Sequence, residues 1–122
     1  MIIEKENPAQ PTILDAGYGI PDRKSMNAGN CFLYVMQVRD FYKIGISCDI
    51  EGRLRDIQCS NPETVTPVCW YLLKTRSNAI IFEKTVHAFL HKHRVHGEWF
   101  SSDQKTITAI INAINSRNHG NR

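Results

Sequence analysis

The feature that most constrains the fold is a pair of apolar runs separated by two charged residues. The first run covers residues 31–38 (CFLYVMQV), the second covers residues 41–47 (FYKIGIS), and the pair Arg39-Asp40 stands between them. Short runs rich in β-branched and aromatic residues around a two-residue break are typical of an antiparallel hairpin. The sequence therefore predicts two paired strands joined by a two-residue loop.

The length of this loop decides which side chains share a face of the sheet. With two residues in the loop, Tyr34 lies directly opposite Gly45, and Lys43 becomes its diagonal neighbour on the same face. Gly45 leaves room beside the phenol because it has no side chain. This face could be the floor of an active site. A half-buried strand pair, with an amphipathic tyrosine and a lysine that reaches solvent, would give the same pattern.

Helical and extended patterns follow the hairpin in the order of a small α+β domain. The predicted elements are a helix over residues 49–58, a strand over 65–75, a helix over 78–93, a short extended piece over 98–101 and a helix over 104–116. Asp49, Ser77 and either Ser102 or Asp103 stand where helix N-caps are expected. We therefore expect an α+β fold with a small three-stranded antiparallel sheet flanked by helices, in the order β-β-α-β-α-α.

The chain divides into three segments by composition. Residues 1–30 are rich in proline, glycine and asparagine, and we expect an N-terminal arm that is irregular or partly disordered. Residues 31–101 form the predicted domain, and residues 102–122 form a C-terminal helix with a polar tail. No apolar run is long enough to span a membrane and the first residues lack a signal-peptide pattern, so we expect a cytoplasmic protein.

Two charged residues interrupt the apolar faces of their own predicted helices. Arg53 lies three residues after Ile50 and borders the inward stripe of the first helix, while Glu83 lies near the middle of the inward face of the second. A carboxylate on an inward face is costly unless it is paired or bound to a metal. An ion pair between Glu83 and Arg53 would satisfy both residues, and a site for a metal and a phosphate would use the same positions.

The order and spacing of these residues resemble a known set of motifs. Leu33-Tyr34-Val35 stands where the GIY-YIG nuclease superfamily has its first motif, Lys43-Ile44-Gly45 stands where it has the second, and Arg53 matches its helix arginine. The resemblance covers residues 31–101. The sequences YKIGIS, NPE and GEWF further resemble a phage-associated branch of that superfamily.

The resemblance implies an endonuclease that hydrolyses DNA phosphodiester bonds in a single displacement with Mg²⁺ or Mn²⁺. It assigns Tyr34 as the general base or its helper, Arg53 to the phosphate, and Glu83 to one divalent metal. One oxygen ligand, with water and phosphate at the other positions, suits Mg²⁺. Lys43 replaces the tyrosine of the second motif and could assist the base or bind phosphate. His87, four residues after Glu83, is a candidate second ligand, proton shuttle or orienter of Tyr34.

The expected partner is nucleic acid, with DNA favoured over RNA. The net charge of +3 permits a polyanionic partner without requiring one. The residues expected to bind the nucleic acid are Lys43, Arg53, Arg55 and Lys84. The chain has no obvious separate recognition module, so specificity could also come from a homodimer or a protein partner.

Two other functions fit the same sequence. A catalytically degenerate domain of this fold would bind nucleic acid without cutting it, and a protein-interaction domain would keep Arg53 and Glu83 as a structural pair. Trp99 and Phe100 are expected to close the core beneath the second helix, and stacking on a nucleobase is the alternative use of these rings.

Overall fold

The fold is organised around one antiparallel sheet of six strands, in a computed structural model that describes residues 11–120 and the side chains of residues 11–116. Across the sheet the strands lie in the order β1-β4-β2-β3-β6-β5. The strands are β1 (Asp15–Tyr18), β2 (Cys31–Val38), β3 (Phe41–Ser47), β4 (Thr66–Leu73), β5 (Arg94–His96) and β6 (Trp99–Ser101). The helices are α1 (Arg23–Asn27), α2 (Ile50–Cys59), α3 (Arg76–Phe89) and α4 (Gln104–Gly120), with a short 3₁₀ turn at His91–His93.

The central hairpin has the predicted register. Strands β2 and β3 pair antiparallel with Val38 opposite Phe41 and Tyr34 opposite Gly45. Arg39 adopts a left-handed backbone conformation with φ of 54°, a sign of φ that tight hairpin loops demand. The two-residue loop and the shared face of Tyr34 and Lys43 are therefore confirmed.

The predicted size of the sheet is wrong, although the three predicted strands form its centre. Strand β1 pairs with β4, and β6 pairs with β3, so both edges of the predicted sheet are covered. Exposed strand edges carry unpaired backbone groups, and short flanking strands satisfy them. The expectation of an irregular arm over residues 1–30 is wrong for residues 15–18, which form a strand through pairing with β4 and not through side-chain periodicity. It is also wrong for residues 23–27, which form helix α1. Residues 1–10 lie outside the described part.

The helix caps were predicted with one error. Asp49 accepts a hydrogen bond from the Gly52 amide at 3.0 Å, and Asp103 accepts one from the Thr106 amide at 2.8 Å, so both predicted caps are confirmed. Helix α3 instead begins after Thr75, whose hydroxyl accepts from the Asn78 amide at 3.0 Å, and Ser77 lies inside its first turn. None of the helices within residues 11–120 has an apolar stretch long enough to cross a membrane.

The sheet separates two cores. Helices α3 and α4 pack on one face, through residues that include Phe82, Val86 and Ile111, and Phe100 belongs to this core. Helix α2 packs on the other face together with Tyr34. Trp99 lies against this second core. The expectation that Trp99 and Phe100 both close the core beneath the predicted helix 78–93, which is α3, therefore holds for Phe100 alone. Alternate residues of a strand point to opposite faces, and adjacent aromatic residues on β6 are separated for this reason.

Strand β1 packs so closely on the core that a side chain at Gly17 should lower the stability of the protein. A Cβ atom placed on Gly17 would lie 2.6 Å from Cζ2 of Trp70 on the paired strand. We expect Gly17→Val to lower the free energy of unfolding by about 1–3 kcal/mol, as overpacked sites do. The exposed neighbour Ala16 is the matched control, since Ala16→Val adds the same side-chain type on the open face. Urea denaturation measures both; equal stabilities would mean that β1 does not pack on Trp70.

Candidate active site

The site forms where strand β6 stops covering the edge of β3. Lys43 pairs with Trp99 in the ladder, and the Ile44 amide still donates to the Glu98 carbonyl at 3.0 Å. The Ile44 carbonyl is bonded differently, to Nε2 of His87 on α3 at 2.8 Å. A carbonyl can only accept, so His87 Nε2 carries the proton and donates. This bond fastens α3 to the edge of β3.

The bond of His87 also sets the position of Glu83. The two residues are one helical turn apart on α3, at spacing i and i+4, and therefore lie on the same side of the helix. Glu83 therefore lies on the side of α3 that His87 joins to the edge of β3. The next residue of β3 after Ile44 is Gly45.

Gly45 is required by the close approach of two side chains. A Cβ atom on Gly45 would lie 2.5 Å from the Tyr34 hydroxyl oxygen and 2.8 Å from Oε1 of Glu98. Both distances are too short for any real Cβ atom, so the phenol and the Glu98 carboxylate occupy the volume that a side chain would need. The sequence prediction that Gly45 makes room beside Tyr34 is confirmed, and a carboxylate fills part of that room.

Tyr34 is held as a neutral phenol. It is almost completely buried, and burial is the main cause that raises its pKa well above the usual value. The negative charges of Glu98 and Glu83 raise the pKa further, whereas the positive charge of Arg53 lowers it. Burial and nearby carboxylates both disfavour a phenolate. The proton affinity of Tyr34 is thus set mainly by burial and adjusted by the charges of Glu98, Glu83 and Arg53.

Lys43 is fixed by two partners on this face. Its Nζ lies 3.2 Å from Oε1 of Glu98, and it lies 5.4 Å from the ring centroid of Trp99. An ammonium over an indole face is attracted by the ring quadrupole. With its side chain only 18 % exposed, Lys43 places a positive charge beside Tyr34 and Glu98.

Glu83 carries an unusual proton affinity. Burial, the negative charge of Glu98 and a hydrogen bond between the two side chains raise the pKa of Glu83 to about 7, against the opposing effects of Lys43 and Arg76. Its Oε2 atom is buried and has no hydrogen-bond partner within the described part of the protein. A buried carboxylate oxygen without a partner is costly, and the neighbouring Glu98 increases the cost when both groups are ionised.

The two carboxyl groups fit a single hard divalent cation. Glu83 offers an oxygen that no donor among residues 11–116 uses, and Glu98 is adjacent to it. Oxygen donors of this kind suit Mg²⁺, which commonly keeps several waters and takes one or two protein carboxylates. Among the described residues no group of three or more His, Cys, Asp or Glu side chains is arranged to hold a metal. The remaining positions around a cation would therefore belong to water and substrate.

Arg53 lies at the mouth of a cleft next to these groups. The cleft has a volume of about 420 Å³ and is lined by Lys43, Arg53, Asp56, Ile57, Ser60, Asn61 and Trp99. Arg53 is exposed, and its charge acts on Tyr34. Two cations at one opening would attract a phosphate.

The structure brings together four of the residues chosen from the sequence. The charges of Arg53 and Glu83 act on the pKa of Tyr34, that of Lys43 acts on the pKa of Glu83, and Lys43 and Arg53 line one cleft. No ion pair joins Arg53 to Glu83 among the side chains of residues 11–116, so the structural alternative of a plain pair between two helices is not formed.

Three other candidates occupy different positions. His87 bonds the Ile44 backbone and packs against Phe100 with ring centroids 5.0 Å apart, so it does not orient Tyr34 on the opposite face. The bond through Nε2 gives His87 a positioning role, and its Nδ1 atom remains the group for the predicted role as a metal ligand or proton shuttle. Arg55 and Lys84 are exposed and do not line the cleft.

Glu98 is the site residue that sequence reasoning missed. It lies in a turn between two three-residue strands, where no periodicity marks it as inward. A signal was nevertheless present, because the motif GEWF places Glu98 directly before Trp99, which pairs with Lys43. Prediction of strand β6 as the partner of β3 would have placed a second carboxylate at the site.

Comparison with known proteins identifies a family that the chain matches. A family model described as the T5orf172 domain matches residues 28–115, well over half of the chain. No curated protein and no solved structure matches the chain. The match supports a phage-associated module of nuclease-like or DNA-binding type.

The raised pKa of Glu83 predicts a pH dependence of stability. The folded protein holds a proton on Glu83 up to about pH 7, while the unfolded chain releases it near the ordinary value of 4.5. The folded state binds more protons in this window, so stability in a chelator should fall as the pH rises from about 4.5 to about 7. The difference in melting temperature between wild type and Glu83→Gln, measured across this pH range, isolates the contribution of Glu83. The substitution Glu98→Gln should make this pH dependence weaker. The same pH slope in wild type and Glu83→Gln would contradict the assignment.

Proposed function

Because the chain belongs to the T5orf172 domain family, we propose that it is a metal-dependent endonuclease that hydrolyses DNA phosphodiester bonds by a GIY-YIG-type single displacement. The observation that carries the proposal is the buried Oε2 of Glu83, which has no hydrogen-bond partner among the described residues although it lies beside a second carboxylate. Such an oxygen is expected where a cation completes the site. Tyr34, Lys43 and Arg53 around it are the groups that phosphodiester hydrolysis needs.

The proposed metal site consists of Glu83 with Glu98 beside it. A bound Mg²⁺ or Mn²⁺ would supply charge stabilisation for the phosphate and the leaving oxygen. The protein supplies the geometry. His87 holds α3, which carries Glu83, against β3, and the absence of a side chain at Gly45 leaves room for the Glu98 carboxylate.

Arg53 is proposed to bind the scissile phosphate. It is exposed at the cleft, and a guanidinium can donate two parallel hydrogen bonds to phosphate oxygens. Lys43 adds a second positive charge at the same opening. Fixed cations aimed at the place where negative charge develops are usually the largest contribution to catalysis of this kind.

Tyr34 is proposed to take the proton of the attacking water or to hold that water in line. The charges of Glu98 and Glu83 contribute to its raised pKa, and Arg53 opposes them. Neutralisation of the two carboxylates would therefore lower the pKa of the phenol, whereas burial and a phosphate beside Arg53 act in the opposite direction. In this scheme the balance favours a Tyr34 that stays protonated and holds the attacking water in line.

A second function is favoured by the state of Tyr34 and Lys43. Burial strongly raises the pKa of Tyr34, and Lys43 is engaged by Glu98 at 3.2 Å. A protein with these groups permanently masked would bind nucleic acid through phosphate contacts without cutting it. Its binding would weaken steeply with salt, as counterion release requires.

The nuclease proposal predicts which substitutions abolish cleavage. In assays of supercoiled plasmid nicking with Mg²⁺ or Mn²⁺, Glu83→Gln and Arg53→Ala should each reduce the rate by about 100-fold or more, the effect of losing one group that stabilises developing charge. Tyr34→Phe should lose cleavage while keeping DNA binding. Lys105→Ala is the matched charge control, since Lys105 is exposed on α4 and packs against neither the cleft nor Gly45.

The outcomes separate the two functions. Metal-dependent cleavage that survives Glu83→Gln would contradict the proposed mechanism. A folded wild type that binds DNA in a salt-sensitive manner but cuts it with neither metal would establish the binding module instead.

A further inference from the structure

The cleft beside the proposed active site is larger than a phosphate requires. Its volume of about 420 Å³ falls within the range of roughly 300–1,000 Å³ typical of small-molecule sites. We propose that this cleft binds one unpaired nucleobase that carries an exocyclic amine, from the nucleotide next to the phosphate held by Arg53. The inference rests on the proposed nucleic-acid function and deepens it by naming the part of the substrate that the cleft recognises.

The cleft contains charges of both signs, as a site for a nucleotide requires. Lys43 and Arg53 supply positive charge, and Asp56 supplies a carboxylate three residues after Arg53 on the same helix. A phosphate alone would be attracted by the two cations and repelled by Asp56. A nucleotide can satisfy both ends, because its phosphate is an anion and its base edge can carry hydrogen-bond donors.

The polar groups at the end of α2 are mainly acceptors. Asn61 donates one Nδ2 hydrogen to the Ile57 carbonyl at 3.0 Å, which leaves its Oδ1 and its second N–H for a ligand. Ser60 donates its hydroxyl to the same carbonyl at 3.1 Å and can offer only lone pairs. Together with the Asp56 carboxylate, these groups form an acceptor-rich rim that selects a ligand with amino groups.

Trp99 supplies a stacking surface for such a ligand. It is half-buried, it lines the cleft, and it shares a sheet face with Lys43 because the two residues are paired in the ladder. Ile57, buried beneath the cleft, adds an apolar surface. Pockets for extruded bases combine an aromatic or apolar wall with hydrogen bonds to the base edge. Trp99, Ile57 and the rim provide both components.

The acceptor rim gives the cleft a preference among bases. Cytosine and adenine present an exocyclic amino group on the edge that pairs with other bases, while thymine presents a carbonyl there. A carbonyl against the Asp56 carboxylate would leave an acceptor facing an acceptor. The cleft should therefore favour cytosine or adenine over thymine.

Binding measurements with the full chain in a chelator test the inference without cleavage. The probes are single-stranded oligomers of equal length composed of deoxycytidine, of thymidine, or of an abasic tetrahydrofuran analogue with the same number of phosphates. Stacking of one base should make the deoxycytidine oligomer bind about 5-fold to about 150-fold more tightly than the abasic oligomer. Trp99→Ala should weaken deoxycytidine binding more than abasic binding and so remove this difference, whereas Trp99→Phe should retain it.

Two further variants sharpen the test. Asp56→Asn should reduce the preference for deoxycytidine over thymidine, because an amide can also donate to the thymine carbonyl. Tyr18→Ala is the matched aromatic control; Tyr18 is 81 % exposed on β1, at the far edge of the sheet from β6, and its loss should change none of the affinities.

Each unfavourable outcome has a distinct meaning. Equal binding of the deoxycytidine and abasic oligomers would overturn the base site and leave a phosphate-binding nuclease intact. Equal weakening of both oligomers by Trp99→Ala would overturn it too, since the ring would then act only on the fold. No binding of any oligomer at low salt would overturn the proposed function together with this inference.

Discussion

The hydrogen bond from His87 to the Ile44 carbonyl determines how helix α3 meets the sheet. Strand β6 covers β3 only as far as Lys43, and beyond that point the edge needs another donor. His87 supplies it from a helix on the opposite face to Tyr34. Glu83 lies one turn before His87 on the same side of α3, and Glu98, which raises its pKa, occupies the space beside Gly45. The His87 side chain, by bonding to the edge of β3, thus helps to position the groups of the site.

Charges of the same sign lie close together at the site, and charges of the opposite sign partly compensate them. Glu83 and Glu98 are adjacent carboxyls, and each raises the pKa of Tyr34. Lys43 and Arg53 oppose them from the side of the cleft. A protein without a function for these groups would gain stability by replacing the buried carboxyl with an apolar residue. The arrangement is understandable as preparation for a cation and an anion that bind together.

Sequence reasoning succeeded where local chemistry decides the structure. The register of the β2–β3 hairpin follows from a two-residue loop, so the juxtaposition of Tyr34 and Gly45 could be predicted and is confirmed. The inward position of Glu83 followed from helical spacing, and the structure places one of its oxygens out of contact with solvent. In both cases the relevant neighbours are set by periodicity within one or two elements.

Reasoning from periodicity failed for residues whose position depends on distant parts of the chain. Strand β1 has too few residues for a pattern, and it forms because β4 offers an unpaired edge. His87 was a candidate second metal ligand, proton shuttle or orienter of Tyr34, and its ring contacts the backbone of β3 and Phe100. Glu98 lies in a turn whose location is decided by the pairing of β6 with β3.

The sequence by itself determined the hairpin, the order of its central elements and the charged residues that point inward, because each depends on spacing along the chain. The tertiary structure alone decided that Glu98 joins Glu83, that Trp99 faces the cleft instead of the core beneath α3, and that Arg53 stays free of Glu83 within the described residues. These contacts join elements far apart in sequence. Their geometry is set by which strand edges remain open and which helix closes them, and no local pattern encodes that choice.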